Sequence, residues 1–150
     1  MRKGGKFIFG RPIIREDGSI QFPELAIREY DITSEGRVYL FSGSKSTGGF
    51  CVTRKGLLEA SKLSHILCDI PELCDYTSEA GRFIRYKGRS YTWTAVSADG
   101  RIVLTEDMLA FLRLEVGMRL LSIRSSNIAF TMGAYGPLVE ESLKHEWEIP

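Results

Sequence analysis

The chain contains one short pattern twice, and this internal repeat constrains its fold more than any other feature of the sequence. Residues 17–24 read DGSIQFPE, and residues 99–106 read DGRIVLTE. The match continues in the same register, with Ala26, Ile27, Tyr30 and Ile32 opposite Met108, Leu109, Leu112 and Leu114. After one extra residue in the first copy, Gly36 corresponds to Gly117. A register that persists over this length predicts two copies of one structural module.

Each copy predicts the same local structure, namely a turn, a strand, a short helix, a second turn and a second strand. Asp-Gly favours a tight turn because both residue types tolerate positive φ. In the second copy, residues 101–104 form an apolar strand, and Thr105 can cap the helix that follows. The acidic Glu106 and Asp107 suit the positive end of the helix dipole. The spacing places three apolar residues on one helical face, Met108, Phe111 and Leu112.

Further strands and helices are predicted around the two copies. Strands over residues 6–14 and 90–97 precede the two Asp-Gly turns, and Pro12 favours a bend or a sheet edge because proline cannot donate to a ladder. The alternation of Tyr91, Trp93 and Ala95 with threonines indicates a half-exposed strand. Hairpins are predicted from 37–41 to 50–53 and from 119–124 to 128–132. Helices are predicted near 57–60 and from Gly136-Pro137 onward.

The repeat divides the chain into three parts that together form one compact unit. These are a first repeat with its following helix over 6–60, a connecting segment over 61–88, and a second repeat with its following helix over 89–146. Helical spacing at Leu63, Ile66 and Leu67, and a strand pattern over 82–86, predict that the connection is ordered. The expected fold class is mainly β with short helices (α+β).

Composition sets the broad class of the protein. Hydrophobic residues make up 43% and charged residues 26%, which is typical of a soluble globular chain. The net charge of +1 excludes a strong overall field toward nucleic acid or membranes. There is no apolar run of membrane-spanning length, and three cysteines without a framework spacing suit a reducing compartment. We therefore expect a cytoplasmic protein without a membrane partner.

The repeated motifs resemble a known bacterial domain. DGRIVLTE at 99–106, GMRLLSI from 117 and DGSIQFPE at 17–24 are similar to the swapped-hairpin domain of the AbrB/MazE/SpoVT family of regulators. In that family two copies, usually from two chains, exchange hairpins to close a small β-barrel whose basic face binds DNA. The resemblance implies that the two copies here form a swapped-hairpin β-barrel as an internal pseudo-dimer, with peripheral helices, and that the protein regulates transcription.

The chain departs from the family pattern at two basic positions. DNA-binding members usually carry Arg four residues after the strand-ending Pro, where this chain has Ile27 and, in the second copy, Leu109. Arg28 lies one place beyond the first of these. After the turn glycine, where the family often has Arg or Lys, the chain has Ser19 in one copy and Arg101 in the other.

Basic residues flank the strands of both copies, at Arg11, Arg15, Arg28, Arg37, Arg101, Arg113, Arg119 and Arg124. Arginines in such positions can hold phosphates and reach guanine edges. Arg11, Arg15 and Arg101 are the best candidates for a DNA-binding face because they lie on or beside the strands that enter the Asp-Gly turns. Arg28, near the family position, completes the predicted set. The alternative is that they are ordinary surface charges balanced by nearby glutamates.

Other chemistries are less well supported by the sequence. Cys51, His65, Cys68 and Cys74 could be read as a Cys₃His metal set, but no Cys-x-x-Cys pair is present. Cys68 and Cys74 are better explained as small core residues. The glycines flanking Lys45-Ser46-Thr47 lack the order of a phosphate-binding loop. The chain has two histidines, so few side chains are suited to act as a general base. We predict no cofactor, no metal and no enzymatic activity.

Two hypotheses about function remain. The first is an AbrB-like transcriptional regulator that binds DNA through the barrel face. The second is a protein-interaction or assembly module, or a homo-oligomer, that keeps the barrel and has lost DNA binding. In the second hypothesis the helices near 57–67 and 137–146 form assembly surfaces, and Trp147 either packs on the barrel or belongs to a partner surface.

Overall fold

The structure, a computed structural model, describes residues 2–3, 6–42 and 48–134. Within these residues the fold is mainly β with short helices, as the sequence predicts. The strands are β1 (Arg2–Lys3), β2 (Lys6–Gly10), β3 (Ser19–Gln21), β4 (Arg37–Ser42), β5 (Phe50–Thr53), β6 (Ile84–Tyr86), β7 (Arg89–Ala95), β8 (Arg101–Val103), β9 (Leu121–Arg124) and β10 (Phe130–Gly133). The helices are α1 (Glu24–Tyr30), α2 (Lys55–Glu59), α3 (His65–Asp69), α4 (Pro71–Cys74) and α5 (Glu106–Leu112).

Seven strands form one antiparallel sheet in the order β2-β9-β10-β5-β4-β7-β6, and the short β1 adds to it beside β2. The hairpins β4–β5 and β9–β10 were predicted from the sequence, and the pairing of β5 with β10 joins them. In each repeat, the strand that precedes the Asp-Gly turn pairs with a strand of the other repeat. Thus β2 pairs with β9, and β7 pairs with β4.

The strands β3 and β8 form a separate two-stranded ladder centred on Ile20 and Ile102, which face each other. The ladder is extended by matching hydrogen bonds at its two ends. The amide of Phe22 donates to Gly100 O at 2.9 Å, and the amide of Leu104 donates to Gly18 O at 2.8 Å. The two repeats therefore pair reciprocally along corresponding residues.

The helices of the two repeats end in the same way. The residues after α1 and α5, Asp31 and Arg113, both adopt the left-handed conformation, with φ of 50° and 58°. In each repeat the next residue donates its amide back into the helix. Ile32 N lies 3.1 Å from Ile27 O, and Leu114 N lies 2.8 Å from Leu109 O. This turn satisfies carbonyls that a helix end leaves unpaired.

The larger of two apolar clusters contains residues from β3 and β8, from α1 and α5, and from several strands of the sheet. Its aromatic centre consists of Phe22, Tyr30 and Phe130, whose rings lie 5.3 Å apart in the Phe22–Phe130 and Tyr30–Phe130 pairs. The Tyr30 hydroxyl donates to Ser126 O at 2.6 Å, so the buried ring keeps a polar partner.

The smaller cluster joins the connecting segment to the sheet. Leu58, Ile66 and Leu73 from the short helices α2, α3 and α4 are buried with Tyr39 of β4. The Tyr39 hydroxyl donates to Leu73 O at 3.0 Å. The segment after the first repeat therefore covers part of the sheet.

Several predicted strands are shorter in the structure than the sequence pattern suggests. The strand predicted over 6–14 ends as β2 at Gly10, and Ile13 makes an isolated bridge to Arg119. Pro12 lies between them and cannot donate to a ladder, although its carbonyl accepts from Leu120 N at 2.8 Å. The strand predicted over 119–124 begins at Leu121.

The periodic patterns do not specify the exposure of Phe111 and Thr92. Phe111 shares its predicted helical face with the buried Met108 and Leu112, but it is 50% exposed and stacks on Phe83 with ring centroids 4.3 Å apart. Thr92 lies in the strand with the half-exposed pattern and is fully buried, because both faces of β7 are covered near Tyr91. The helix predicted from Gly136 and the placement of Trp147 lie outside the described residues.

Among the described residues, none of the helices combines the length and apolar character that crossing a membrane requires.

Candidate nucleic-acid interface

The two Asp-Gly turns lie at opposite ends of the antiparallel β3–β8 ladder, with Gly18 beside Leu104 and Gly100 beside Phe22. Gly18 and Gly100 have φ of 83° and 86°, a conformation that side chains disfavour. The first turn is closed by the amide of Ser19, which donates to Asp17 Oδ1 at 2.9 Å. A Cβ at Gly18 would lie 2.3 Å from Leu104 O, so only glycine permits this approach of the two repeats.

Gln21 holds the first repeat against the second turn. Its Nε2 donates to Asp99 O at 2.6 Å, and it lies 3.3 Å from Gly100 O. The sequence analysis missed this residue. The repeat places Val103 at the corresponding position, so the pattern gave no signal for a polar link there.

Three arginines line one groove of about 350 Å³ beside the first turn. They are Arg11, Arg15 and Arg119, and the groove is also lined by Gln21, Phe22 and one carboxylate, that of Glu24. Arg119 Nη1 donates to Arg11 O at 2.8 Å, which links the two segments that form the groove. Among the described residues, none of these three guanidinium groups forms an ion pair. Arg11 and Arg15, two of the four predicted DNA-binding residues, therefore line the same groove as Arg119, which is outside that set.

The other two predicted residues lie close by and face carboxylates. Arg28 lines a neighbouring groove that shares Gln21 as a wall, and its Nη2 lies 2.6 Å from Glu24 Oε1. This pair is largely exposed and contributes little stability. Arg101 Nη2 lies 3.9 Å from Asp99 Oδ2.

The carboxylates of the two turns are held in their charged form. The pKa of Asp99 is lowered by the hydrogen bond from the Ser97 hydroxyl and, to a smaller extent, by the charges of Arg101 and Arg15. Hydrogen bonds from Ser19 lower the pKa of Asp17, and the charge of Arg101 lowers it further. The face around the turns therefore carries interleaved positive and negative charges at neutral pH.

The remaining arginines that were considered lie in other contacts. Arg124 donates two hydrogen bonds to Glu29, one of them from Nε to Oε2 at 2.6 Å, and lies over the Phe7 ring. Arg37 lies 4.5 Å from the centre of the Tyr76 ring. Arg113 is at the opposite end of α5 from the turn. None of these three arginines lines the groove formed by Arg11, Arg15 and Arg119.

The cysteines are spread over different environments. Cys51 is buried beside Thr131, and burial raises the pKa of its thiol. Cys74 packs against the smaller apolar cluster, as expected for a core residue. Cys68 is exposed, so its assignment to the core is wrong. Among the described residues there is no group of three or more His, Cys, Asp or Glu side chains that could hold a metal ion.

A comparison of the chain with protein-family models gives no match, and a search of curated proteins finds none that matches it significantly. The functional argument therefore uses the geometry of the chain's own residues.

Proposed function

We propose that this protein is an AbrB-like transcriptional regulator whose two repeats form a swapped-hairpin β-barrel and bind DNA through the face around the Asp-Gly turns. One observation carries the proposal. The groove beside the first turn gathers three guanidinium groups, from Arg11, Arg15 and Arg119, without ion-pair partners among the described residues.

The exchange of strands between the repeats supports the barrel part of the proposal. β2 pairs with β9 and β7 pairs with β4, so each repeat completes its sheet with a strand from the other. The reciprocal ladder centred on Ile20 and Ile102 is the arrangement that an internal pseudo-dimer requires. A duplicated half-barrel accounts for both observations and for the repeat in the sequence.

The groove chemistry suits a phosphodiester backbone. A guanidinium group presents several N–H donors and keeps its charge at all physiological pH values, which makes arginine well suited to phosphate. Arg15 is exposed and Arg11 is half-buried, so the groove offers donors at two depths. Arg101, exposed at the second turn, is placed to extend the contact along the duplex.

The test is binding of mixed-sequence duplexes, measured by fluorescence anisotropy at about 50 and about 200 mM salt. We expect binding that weakens as salt rises, because phosphate contacts release counterions. Arg15→Gln should weaken binding and reduce the magnitude of the salt slope by about one. Arg113→Gln removes an equal charge at the far end of α5 and should bind as the wild type does. A chain that binds no duplex at low salt would contradict the proposal.

A second candidate function, a protein-interaction module, is favoured by the carboxylates on the same face. Asp17, Asp99 and Glu24 lie among the arginines, which lowers the positive potential available to DNA. Leu25 and Val103 are 43% and 52% exposed, so apolar side chains are also accessible to a partner. Self-association in sedimentation experiments, together with no salt-dependent DNA binding, would favour this alternative.

A further inference from the structure

The two repeats differ at the positions that form the arginine groove. In the register of the repeat, extended into the preceding strands, Arg11 corresponds to Trp93 and Arg15 corresponds to Ser97. Arg119 corresponds to Arg37, because Arg119 bridges Ile13 just as Arg37 pairs with Ala95. Arg37 is the one charged residue of the three, and its guanidinium lies over the rings of Tyr76 and Trp93. The two first-repeat arginines of the groove therefore have no charged equivalent in the second repeat.

The connecting segment also packs over the corresponding place in the second repeat. Trp93 Nε1 donates to Ser78 O at 2.9 Å, and Gly81 N donates to Trp93 O at 2.9 Å. Gly81 also lies against α5, since a Cβ added there would lie 2.9 Å from Met108 Sδ. Residues 78–81 thus lie beside β7, at the place in the second repeat that corresponds to the arginine groove.

The surface beside this segment has a different chemistry from the arginine groove. It is lined by the carboxylates of Glu79 and Asp107 and by the stacked rings of Phe83 and Phe111, with one arginine, Arg82. Carboxylates repel phosphates, so this surface is a poor counterpart for the groove formed by Arg11, Arg15 and Arg119.

We infer that a single chain binds a non-palindromic DNA site in one fixed orientation, with the groove of Arg11, Arg15 and Arg119 holding the sugar-phosphate backbone at one flank. This inference rests on the proposed DNA-binding function and specifies the class of duplex. A symmetric site requires the same contacts from both halves of a protein, because operator symmetry mirrors protein symmetry. Here the fold is nearly symmetric at the turns, whereas three arginines line one groove and the corresponding place beside Trp93 holds one arginine, Arg37.

The experiment uses the full chain and a duplex enriched from a random-sequence pool by repeated binding. Hydroxyl-radical footprinting of both strands is performed on the complex that contains one chain per duplex. We expect a protection pattern without dyad symmetry. Arg15→Gln, a change at an exposed side chain, should remove protection at one flank and weaken binding about tenfold. Arg113→Gln is the charge-matched control and should leave the pattern unchanged.

The outcomes distinguish the asymmetric mode of binding from DNA binding itself. Dyad-symmetric protection, or equal loss at both flanks in Arg15→Gln, would overturn the asymmetric assignment and leave the DNA-binding function standing. Failure to enrich any bound duplex at low salt would overturn the DNA-binding function itself, and the asymmetric site with it. A protection pattern that lacks dyad symmetry and that Arg15→Gln changes at one flank supports both the DNA-binding function and the asymmetric site.

Discussion

Gly18 and Gly88 have nearly the same backbone conformation, with φ of 83° and 85°, but they differ in their surroundings. At Gly18 a Cβ would lie 2.3 Å from the backbone oxygen of Leu104, whereas at Gly88 no heavy atom lies within 4 Å of the added carbon. Comparing a substitution at Gly18 with one at Gly88 therefore separates the free-energy cost of positive φ from that of a steric clash. The difference reports on how closely the two repeats approach at the first turn.

We therefore predict that Gly18→Ala destabilises the protein more than Gly88→Ala does. Positive φ costs alanine about 1–2 kcal/mol at either position. At Gly18 the added methyl group must also displace backbone of the second repeat, so the loss should exceed that range. Urea unfolding of the two variants checks this expectation. Equal losses would mean that the contact with Leu104 is not tight.

The ion pair between Glu29 and Arg124 makes the stability of the fold depend on pH. The hydrogen bonds from Arg124 lower the pKa of Glu29 below its usual value. A carboxyl group whose folded-state pKa is lowered adds stability above its unfolded-state pKa, and this contribution is lost as pH falls through the folded-state value. The pair links α1 to β9, so the effect concerns the contact between the repeats.

Glu29→Gln should accordingly lower the free energy of unfolding at about pH 6 and have a smaller effect at about pH 3, because the contribution of the wild-type carboxylate is lost as the pH falls toward its lowered pKa. Urea unfolding at the two pH values gives the comparison. Glu59→Gln, at an exposed carboxylate without an ion pair among the described residues, controls for the change in net charge. A pH-independent difference between wild type and Glu29→Gln would rule out this linkage.

At the scale of elements, the two repeats use different residues to begin equivalent helices. Thr105 precedes α5, and its Oγ1 accepts from Met108 N at 3.2 Å. Pro23 precedes α1 and has no side-chain acceptor, so no side-chain cap forms there. The helix of the second repeat therefore depends on one threonine side chain in a way that the helix of the first repeat does not.

Replacing Thr105 by alanine should cost about 1 kcal/mol, because it leaves an amide of the first helical turn without its partner. Thr105→Ser keeps the hydroxyl and should be close to the wild type. Thermal or urea unfolding followed by circular dichroism measures both variants. If serine and alanine were equally destabilising, the lost methyl contacts would matter more than the cap.

At the scale of the whole molecule, one sheet contributes to two apolar clusters. The larger cluster joins the repeats, and the smaller one attaches the connecting segment through Leu73 and its neighbours. Tyr39 of β4 is buried in the smaller cluster, while the adjacent Leu40 is buried in the larger one. Because the strand contributes to both clusters, loss of either should destabilise the same cooperative unit.

Leu73→Ala is expected to destabilise the entire fold by about 2–5 kcal/mol, the usual range for a buried leucine. Trp93, which bonds to Ser78 O, reports on the connecting segment by fluorescence in a Trp147→Phe background, and circular dichroism reports on the sheet. The two transitions should coincide. Leu63→Ala, at a 40% exposed side chain, should change little. Separate transitions would show that the connecting segment unfolds independently.

The sequence by itself determined the local structure of each repeat. The Asp-Gly turns, the helix capped by Thr105 and the hairpins β4–β5 and β9–β10 follow from residues close together in the chain. Their hydrogen bonds close short loops, and the side-chain pattern is enough to specify them. It also singled out Arg11 and Arg15 as candidate DNA-binding residues from the strand that enters the first turn, and both line one groove in the structure.

Only the tertiary structure decided which segments meet across the molecule. The pairing of β2 with β9 brings Arg119 to Arg11, and the pairing of β3 with β8 brings Gln21 to Asp99. Such contacts join residues far apart in sequence, and no local periodicity encodes them. The exposure of Cys68 and Phe111 was decided in the same way, because burial depends on what the rest of the chain places over a helix face.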